Sequence, residues 1–323
     1  MSLIYNKKYI SFVILLTTCM SLSLGQSMLK VVDTYTSDVP VASRIDKSSA
    51  EIPAFDPLTK RVFVSNDVNK SLDVLQLESN ATLSKLFSLP LSSYGGGVNA
   101  VSVSNGLVAV AVQANTKQDP GKVVIFSTSV EQNGTPLANP TVGSLPDHLA
   151  FTKGGKRIVV ANEGEPNDAY TVDPIGSISI IDLNSYGEFL QTQVIDLNFS
   201  SFDSSKQKLI SQGVRIFGNN GNVTVSQDLE PEYVAITEDS SKAFVTLQEN
   251  NAFAVVDLVK LEITEILPLG YKDWGRLGLS FDASNKDDSI NSGYNPFPWR
   301  VLGMYQPDSI VSFNLNNKDY FVT

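Results

Sequence analysis

The sequence has very few of the residues needed for disulfide, thiol or imidazole chemistry. Its 323 residues include one cysteine, Cys19, and one histidine, His148. Because Cys19 lies within an N-terminal segment that resembles a removable leader, we expect the mature chain to have neither a disulfide nor a cysteine-bound metal. A chain of this length can bury a sizeable hydrophobic core without such cross-links.

Long apolar runs are also missing. Beyond the N-terminus no stretch approaches the roughly 18 consecutive apolar residues of a membrane helix, so we expect no transmembrane segment. Residues 1–25 combine two lysines, a short apolar run and small residues near the end, the pattern of a secretory signal peptide. An uncleaved anchor and a lipid-modified Cys19 are the alternatives. We therefore expect residues 26–323 to be secreted or displayed at the cell surface.

Positive charge is scarce. The chain has 24 Lys and Arg against 34 Asp and Glu, a net charge of -10, and loss of the leader with its two lysines makes this -12. Nucleic acids and anionic membrane surfaces bind proteins with the opposite balance, so neither is an expected partner. Multivalent cations suit an acidic chain, although acidity also serves solubility alone.

The chain carries several N-x-S/T glycosylation sequons, none with proline in the middle position. Together with the leader they predict a secreted glycoprotein. The predicted glycosylation sites are Asn69, Asn80, Asn133, Asn198 and Asn222.

An internal repeat predicts the fold. The segments PDHLAFTKGGKRIVVANEG (residues 146–164) and PEYVAITEDSSKAFVTLQEN (residues 231–250) align through two apolar runs, and further copies begin at residues 50, 98 and 307. Each copy reads as a short strand, a polar turn and a second strand. Repeated antiparallel strands without intervening helices indicate an all-β, YVTN-like β-propeller. The third strands of four copies are expected at residues 71–77, 122–128, 177–183 and 252–258.

The spacing of the copies is uneven, which places two insertions in the propeller domain. One lies near residues 199–228 and includes a segment expected to form a short helix, and the other lies near residues 274–300 and is loop-like. Thr323 aligns with Ala161, inside a second strand. We therefore expect a C-terminally truncated, incomplete ring of about four to five blades, because a propeller covers its edges only when closed.

Acidic residues recur at two positions of the repeat. The position just before the first strand carries Glu51, Asn99, Asp147, Glu232 and Asp308. The position just after the second strand carries Asp67, Ala114, Glu163 and Glu249. The start of one strand and the end of its antiparallel neighbour lie at the same end of a sheet, so these side chains should surround one opening of the channel.

Carboxylates gathered in this way raise one another's pKa values unless a cation neutralises them. Oxygen ligands without His or Cys favour Ca²⁺ or Mg²⁺. We therefore predict a Ca²⁺ site that draws on some of Glu51, Asp147, Glu163, Glu232, Glu249 and Asp308. The alternative is that each acid accepts backbone N–H bonds at a strand end.

The sequence has few residues suited to acid–base or nucleophilic catalysis. His148 aligns with Tyr233 and Ser309, a variable position beside the recurring acid, which does not favour a general base. No G-x-S-x-G nucleophile motif is present. Metal-assisted phosphoester hydrolysis stays open, because carboxylates and a divalent ion suffice for it.

Several phrases resemble one known family over residues 45–323. They are LPDHLAFTKGGKRIVVANEGEPND, DPIGSISIIDL, VSQDLEPEYVAITEDSSKAFVTLQENNAFAVVDL, PLGYKD and MYQPDSIVSFN. The chain is similar to the mesenchyme-specific cell surface glycoproteins and the bacterial choice-of-anchor I proteins. This resemblance implies a seven-bladed propeller, extracellular placement and, in animal members, association with calcified tissue. Some bacterial relatives are labelled alkaline phosphatases, and no residue here can be matched to their catalytic groups.

Three functions are consistent with these observations. The first is an acidic, N-glycosylated matrix or cell-surface protein, associated with shell or skeleton, whose partners are Ca²⁺, a mineral surface and other matrix proteins. The second is a metal-dependent phosphatase. The third is an adhesion or scaffold propeller.

Overall fold

The structure, a computed structural model, describes residues 12–15, 30–40, 42, 48–186, 189–284, 286 and 294–323. The predicted signal peptide lies outside the described residues except for strand β1 (Phe12–Leu15), which pairs antiparallel with β2 (Val31–Tyr35).

Four antiparallel sheets of four strands each follow one another along the chain. The first contains β3 (Pro53–Asp56), β4 (Arg61–Asn66), β5 (Ser71–Leu77) and β6 (Leu83–Pro90). The second contains β7 (Gly97–Ser104), β8 (Leu107–Gln113), β9 (Pro120–Ser127) and β10 (Thr141–Ser144). The third contains β11 (Pro146–Phe151), β12 (Arg157–Asn162), β13 (Ser177–Tyr186) and β14 (Phe189–Asn198). The fourth contains β15 (Val234–Ile236), β16 (Lys242–Leu247), β17 (Ala252–Asp257) and β18 (Glu262–Pro268).

Two two-stranded sheets complete the described C-terminal part. One pairs β19 (Tyr271–Asp273) with β20 (Leu302–Met304), and the other pairs β21 (Val311–Leu315) with β22 (Lys318–Val322). They flank and follow the second expected insertion, of which residues 285 and 287–293 lie outside the described residues.

The middle strands of the first three sheets are buried on both faces. In β8, Val108 and Val110 belong to the apolar cluster shared with the first sheet, whereas Ala109 and Ala111 belong to the cluster shared with the third. Successive side chains of a strand point to opposite faces, so one continuous apolar run supplies two cores. Consecutive sheets therefore stack face to face, and apolar side chains from both fill the space between them.

The first strands of consecutive sheets lie against one another. β3 contacts β7, β7 contacts β11, β11 contacts β15, and β15 contacts β21. This order, with each sheet running outward from its first strand, is the blade arrangement of a propeller. The all-β, propeller-like fold is thus confirmed, and the described residues form a succession of blades without a closed ring.

Between β14 and β15 the chain leaves the sheet pattern. Ser200–Ser205 forms a 3₁₀ helix that continues into α1 (Lys206–Gln212), which ends at Gly213 in the left-handed conformation that favours glycine. A second 3₁₀ turn (Asn219–Gly221) precedes α2 (Val225–Asp228). Leu209 and Val225 enter the core between the third and fourth sheets. None of the helices in the described part of the chain has the length and apolar character that crossing a bilayer demands.

Core packing between sheets generates a first prediction. Leu72, in β5, is fully buried between the first and second sheets, whereas the side chain of Leu58 is 78% exposed. Leu72→Ala should lower the free energy of unfolding by about 2–5 kcal/mol, because it leaves a cavity. Leu58→Ala, the same substitution in a turn, should change it by less than about 0.5 kcal/mol. Urea unfolding monitored by circular dichroism measures both, and equal effects would contradict the packing described.

Candidate functional site

The recurring acids lie at one end of the sheets because of strand register. Pro146 of β11 pairs with Asn162 of β12, so Asp147 and Glu163 stand side by side at that end. In the first sheet the backbone N–H of Glu51 donates to Ser65 O at 3.4 Å. In the fourth sheet the backbone N–H of Glu232 donates to Thr246 O at 3.0 Å. Because Glu249 follows Thr246 by three residues, Glu232 and Glu249 lie at the same end of that sheet.

These ends surround a polar cavity of about 610 Å³, here called the mouth cavity. Glu51, Asp147, Glu163 and Asp308 line it. Glu232 and Glu249 are not among its lining residues, but they interact electrostatically with Glu163. The structure therefore brings four of the six predicted acids to one opening and places Glu232 and Glu249 beside it.

The mouth acids strongly perturb one another. Burial, reinforced by the charges of Glu51 and Asp308, raises the pKa of Asp147 to about 6. Burial and the nearby Asp147 raise the pKa of Glu163 to about 9. At neutral pH, Glu163 is therefore protonated in the folded protein and Asp147 is mostly charged.

Glu232 and Glu249 form a carboxyl pair beside this cavity. Burial, followed by a hydrogen bond with Glu249, raises the pKa of Glu232 to about 11. Glu249 Oε2 is buried and receives no N–H or hydroxyl hydrogen bond from the described residues. A protonated Glu232 can donate its O–H to Glu249.

Three further charged residues belong to the site and were not among the predicted set. Burial and the charge of Glu249 raise the pKa of Glu230 to about 8. Lys117 Nζ lies 2.9 Å from Glu165 Oε2, and both residues line the mouth cavity. Glu165 follows Gly164, whose positive φ of 73° lets the chain turn where a Cβ would meet Gly176 N at 2.8 Å.

Two members of the repeat pattern have structural roles instead. Asp67 Oδ1 accepts a hydrogen bond from the backbone N–H of Val98 at 3.0 Å, which joins the first and second sheets. Asn99 Nδ2 donates to Pro146 O at 2.8 Å, which joins the second and third. For Asp67, the alternative of a carboxylate accepting a backbone N–H at a strand end is correct.

His148 is a buried, neutral member of the mouth. Its Nδ1 accepts a hydrogen bond from the backbone N–H of Val234 at 3.3 Å, and its ring stacks on Tyr233 with centroids 3.5 Å apart. Burial lowers the pKa of His148 to about 3. The proton of the neutral ring therefore sits on Nε2, and the residue adds no positive charge to the mouth.

The mouth cavity is not a preformed site for a single metal ion. Among the described residues, no group of three or more His, Cys, Asp or Glu side chains is arranged to hold a metal ion. The predicted glycosylation sites, by contrast, need only accessibility, and all five asparagines are exposed: Asn69, Asn80, Asn133, Asn198 and Asn222.

Fold and site together define a propeller-like, all-β domain with an acidic opening. The chain belongs to the choice-of-anchor I domain family, whose model matches residues 51–323. A choice-of-anchor domain indicates a surface-anchored or extracellular protein. No curated protein matches the chain, so the narrower resemblance to mesenchyme-specific glycoproteins stays a prediction.

Solved structures show weak similarity in shape. A functionally unknown protein from Desulfotomaculum acetoxidans has a TM-score of 0.49 at 12% identity, covering 74% of this chain and 61% of that chain. A candidate 6-phosphogluconolactonase from Bacteroides uniformis has a TM-score of 0.48 at 13% identity, covering 75% of this chain and 63% of that chain. The chain thus spans less than two thirds of the length of either protein.

The raised pKa of Glu163 generates a prediction about stability. Since the folded-state pKa of about 9 exceeds the ordinary glutamate value of 4.5, the folded protein binds the extra proton between these pH values. The free energy of unfolding should therefore fall as pH rises through this window, by at most about 1.4 kcal/mol per pH unit for this group. Glu163→Gln, which imitates the neutral carboxyl, should make the fall shallower.

Chemical denaturation between pH 5 and pH 9 measures this dependence. Glu262→Gln is the matched control, because Glu262 is an exposed acid at the opposite end of the fourth sheet. Identical pH slopes for Glu163→Gln and the unmodified chain would show that Glu163 is not protonated in the folded state.

Proposed function

We propose that this protein is an extracellular, acidic, N-glycosylated surface or matrix protein that binds Ca²⁺, or a calcium mineral, through the mouth carboxylates. The observation that carries the proposal is the gathering of Glu51, Asp147, Glu163 and Asp308 around one cavity, with Glu232 and Glu249 beside it. Association with calcified tissue and with other matrix proteins is part of this proposal. So is a complete ring of seven blades, of which the described sheets would form an arc.

Electrostatics support a cation as the ligand. The mouth acids hold protons that they would lose at neutral pH in water, because burial and mutual repulsion disfavour their charged forms. A bound divalent cation would offset that repulsion and release the protons. Carboxylate and amide oxygens are ligands that Ca²⁺ accepts in variable number.

The spread of the acids favours several ions or a surface over one enclosed ion. Since no group of three is arranged around a single point in the described part of the chain, each cation would keep much of its water. Such contacts are individually weak and gain strength by multivalency, as on a mineral face that presents many calcium ions.

Calcium titration tests the proposal. Isothermal calorimetry on the full chain should show Ca²⁺ binding that weakens about tenfold, roughly 1.4 kcal/mol, in Glu163→Gln and Glu232→Gln. Glu262→Gln should bind as the unmodified chain does, because it lies at the far end of its sheet. Unchanged affinity in both mouth variants would contradict a role for these acids.

Proton release gives an independent measurement. Because Glu163 has a pKa of about 9, Ca²⁺ binding near neutral pH must displace a proton, and affinity should rise between pH 7 and pH 9. Calorimetry in buffers of different ionisation enthalpy counts the protons. Binding without proton release would remove Glu163 from the site.

Turnover of a phosphomonoester that a chelator and Glu163→Gln both abolish would favour the phosphatase alternative.

Glycan occupancy is separately testable. The asparagines of the sequons are exposed, so the secreted chain should lose mass when an N-glycosidase removes its glycans. Asn133→Gln, which changes an exposed loop residue, should remove one glycan with little effect on thermal stability. A mass unchanged by the enzyme would contradict the glycoprotein prediction.

A further inference from the structure

The mouth cavity contains hydrogen-bond donors that no cation would use. His148, at 8% exposure, lines the cavity, and its Nδ1 is occupied by Val234 N–H. The remaining ring nitrogen, Nε2, carries the proton and has no partner among the described residues. A donor of this kind can bond to an acceptor atom of whatever occupies the cavity, whether a ligand or water.

Two amides beside it provide the complementary pair. Asn99 Nδ2 donates to Pro146 O and to Gln113 Oε1, at 2.8 Å and 3.3 Å. Asn99 Oδ1 is left as an acceptor and Gln113 Nε2 as a donor, with no partner for either in the part of the chain that the structure describes. Both residues line the cavity. The lining thus offers donors and acceptors side by side, which suits hydroxyl groups because each hydroxyl both donates and accepts.

The charges of the cavity add a second requirement. Glu51, Asp147 and Asp308 line it as acids, and the single lysine of the lining, Lys117, is paired with Glu165. The cavity volume of about 610 Å³ lies in the range of small-molecule sites and far exceeds that of one ion. Carboxylates spread around such a space can neutralise an ammonium group carried on a larger ligand.

We infer that the mouth cavity binds a polyhydroxylated cation, namely an amino-sugar unit, whose hydroxyls meet His148, Asn99 and Gln113 and whose ammonium group meets the acids. Tyr233, which also lines the cavity, supplies an aromatic ring of the kind that packs on sugars. The inference uses the same opening as the proposed calcium function but does not depend on calcium. A free amino sugar and one unit of a glycan chain share this chemistry.

Saturation-transfer NMR on the full chain, in calcium-free buffer with a chelator, tests the inference with D-glucosamine as the probe. Transfer should be strongest to glucosamine and several-fold weaker to glucose, which lacks the charge, and to putrescine, which lacks the hydroxyls. His148→Asn should weaken it several-fold, since asparagine Oδ1 can still accept from Val234 N–H while Nε2 is lost. Asp147→Asn should also weaken the transfer to glucosamine. It replaces His148→Asn as the test variant if His148→Asn does not fold.

The control is again Glu262→Gln, which should leave the transfer unchanged. Equal transfer to putrescine would show that the acids attract any amine, and equal transfer to glucose would show that the charge has no role. Either result, or no transfer to glucosamine at all, overturns the inference. An oligomer of glucosamine that binds more tightly than the monomer identifies a glycan chain as the source. Calcium titration of the same sample decides the proposed function separately.

Discussion

The burial of both faces of the middle strands in the first three sheets is the constraint from which the rest of the structure follows. A strand such as β8 has no polar face, so its sheet must have an apolar neighbour on each side. Stacking the sheets by this rule lays their first strands side by side. It also brings the starts of those strands, and the acids placed there, to one opening.

Apolar packing between the sheets therefore positions the charged groups of the opening, although it lies away from them. Apolar burial between the sheets offsets the cost of keeping Glu163, Glu230 and Glu232 close together and away from water. The protein lowers that cost by retaining protons on these acids, and Lys117 offsets part of the charge of Glu165 and of Asp147. A site built in this way responds to both pH and cations, because each acts on the same protons.

The repeat predicted most of the fold. The third strand of the first sheet lies at Ser71–Leu77, as expected, and that of the fourth sheet at Ala252–Asp257 ends one residue early. These strands were recognisable because their alternation is strong and the copies align. The repeat does not define the fourth strands, because an outer strand such as β18 has one buried residue, Ile266, and little apolar pattern.

Only those site residues that occupy aligned positions of the repeat could be predicted from the sequence. The six acids share two aligned positions, so antiparallel geometry alone places them together. Lys117 and Glu165 lie in loops that differ between copies, and no periodic signal marks them. The stacking of His148 on Tyr233 depends on two sheets meeting, which a single aligned column cannot reveal. The pKa values likewise depend on burial and neighbours that the sequence does not show.

The strand irregularities at the opening have a consequence for how such a protein can diversify. Register shifts fall at Asn99, between Val98 and Ala100, and at Asp147, between Pro146 and His148. A bulge re-aims a side chain without ending the strand pairing on either side of it. Asn99 must keep its amide, because a carboxylate has no hydrogen to donate to Pro146 O. At Asp147, by contrast, a lineage could exchange acid for amide in one substitution and retune selectivity while the scaffold is inherited intact.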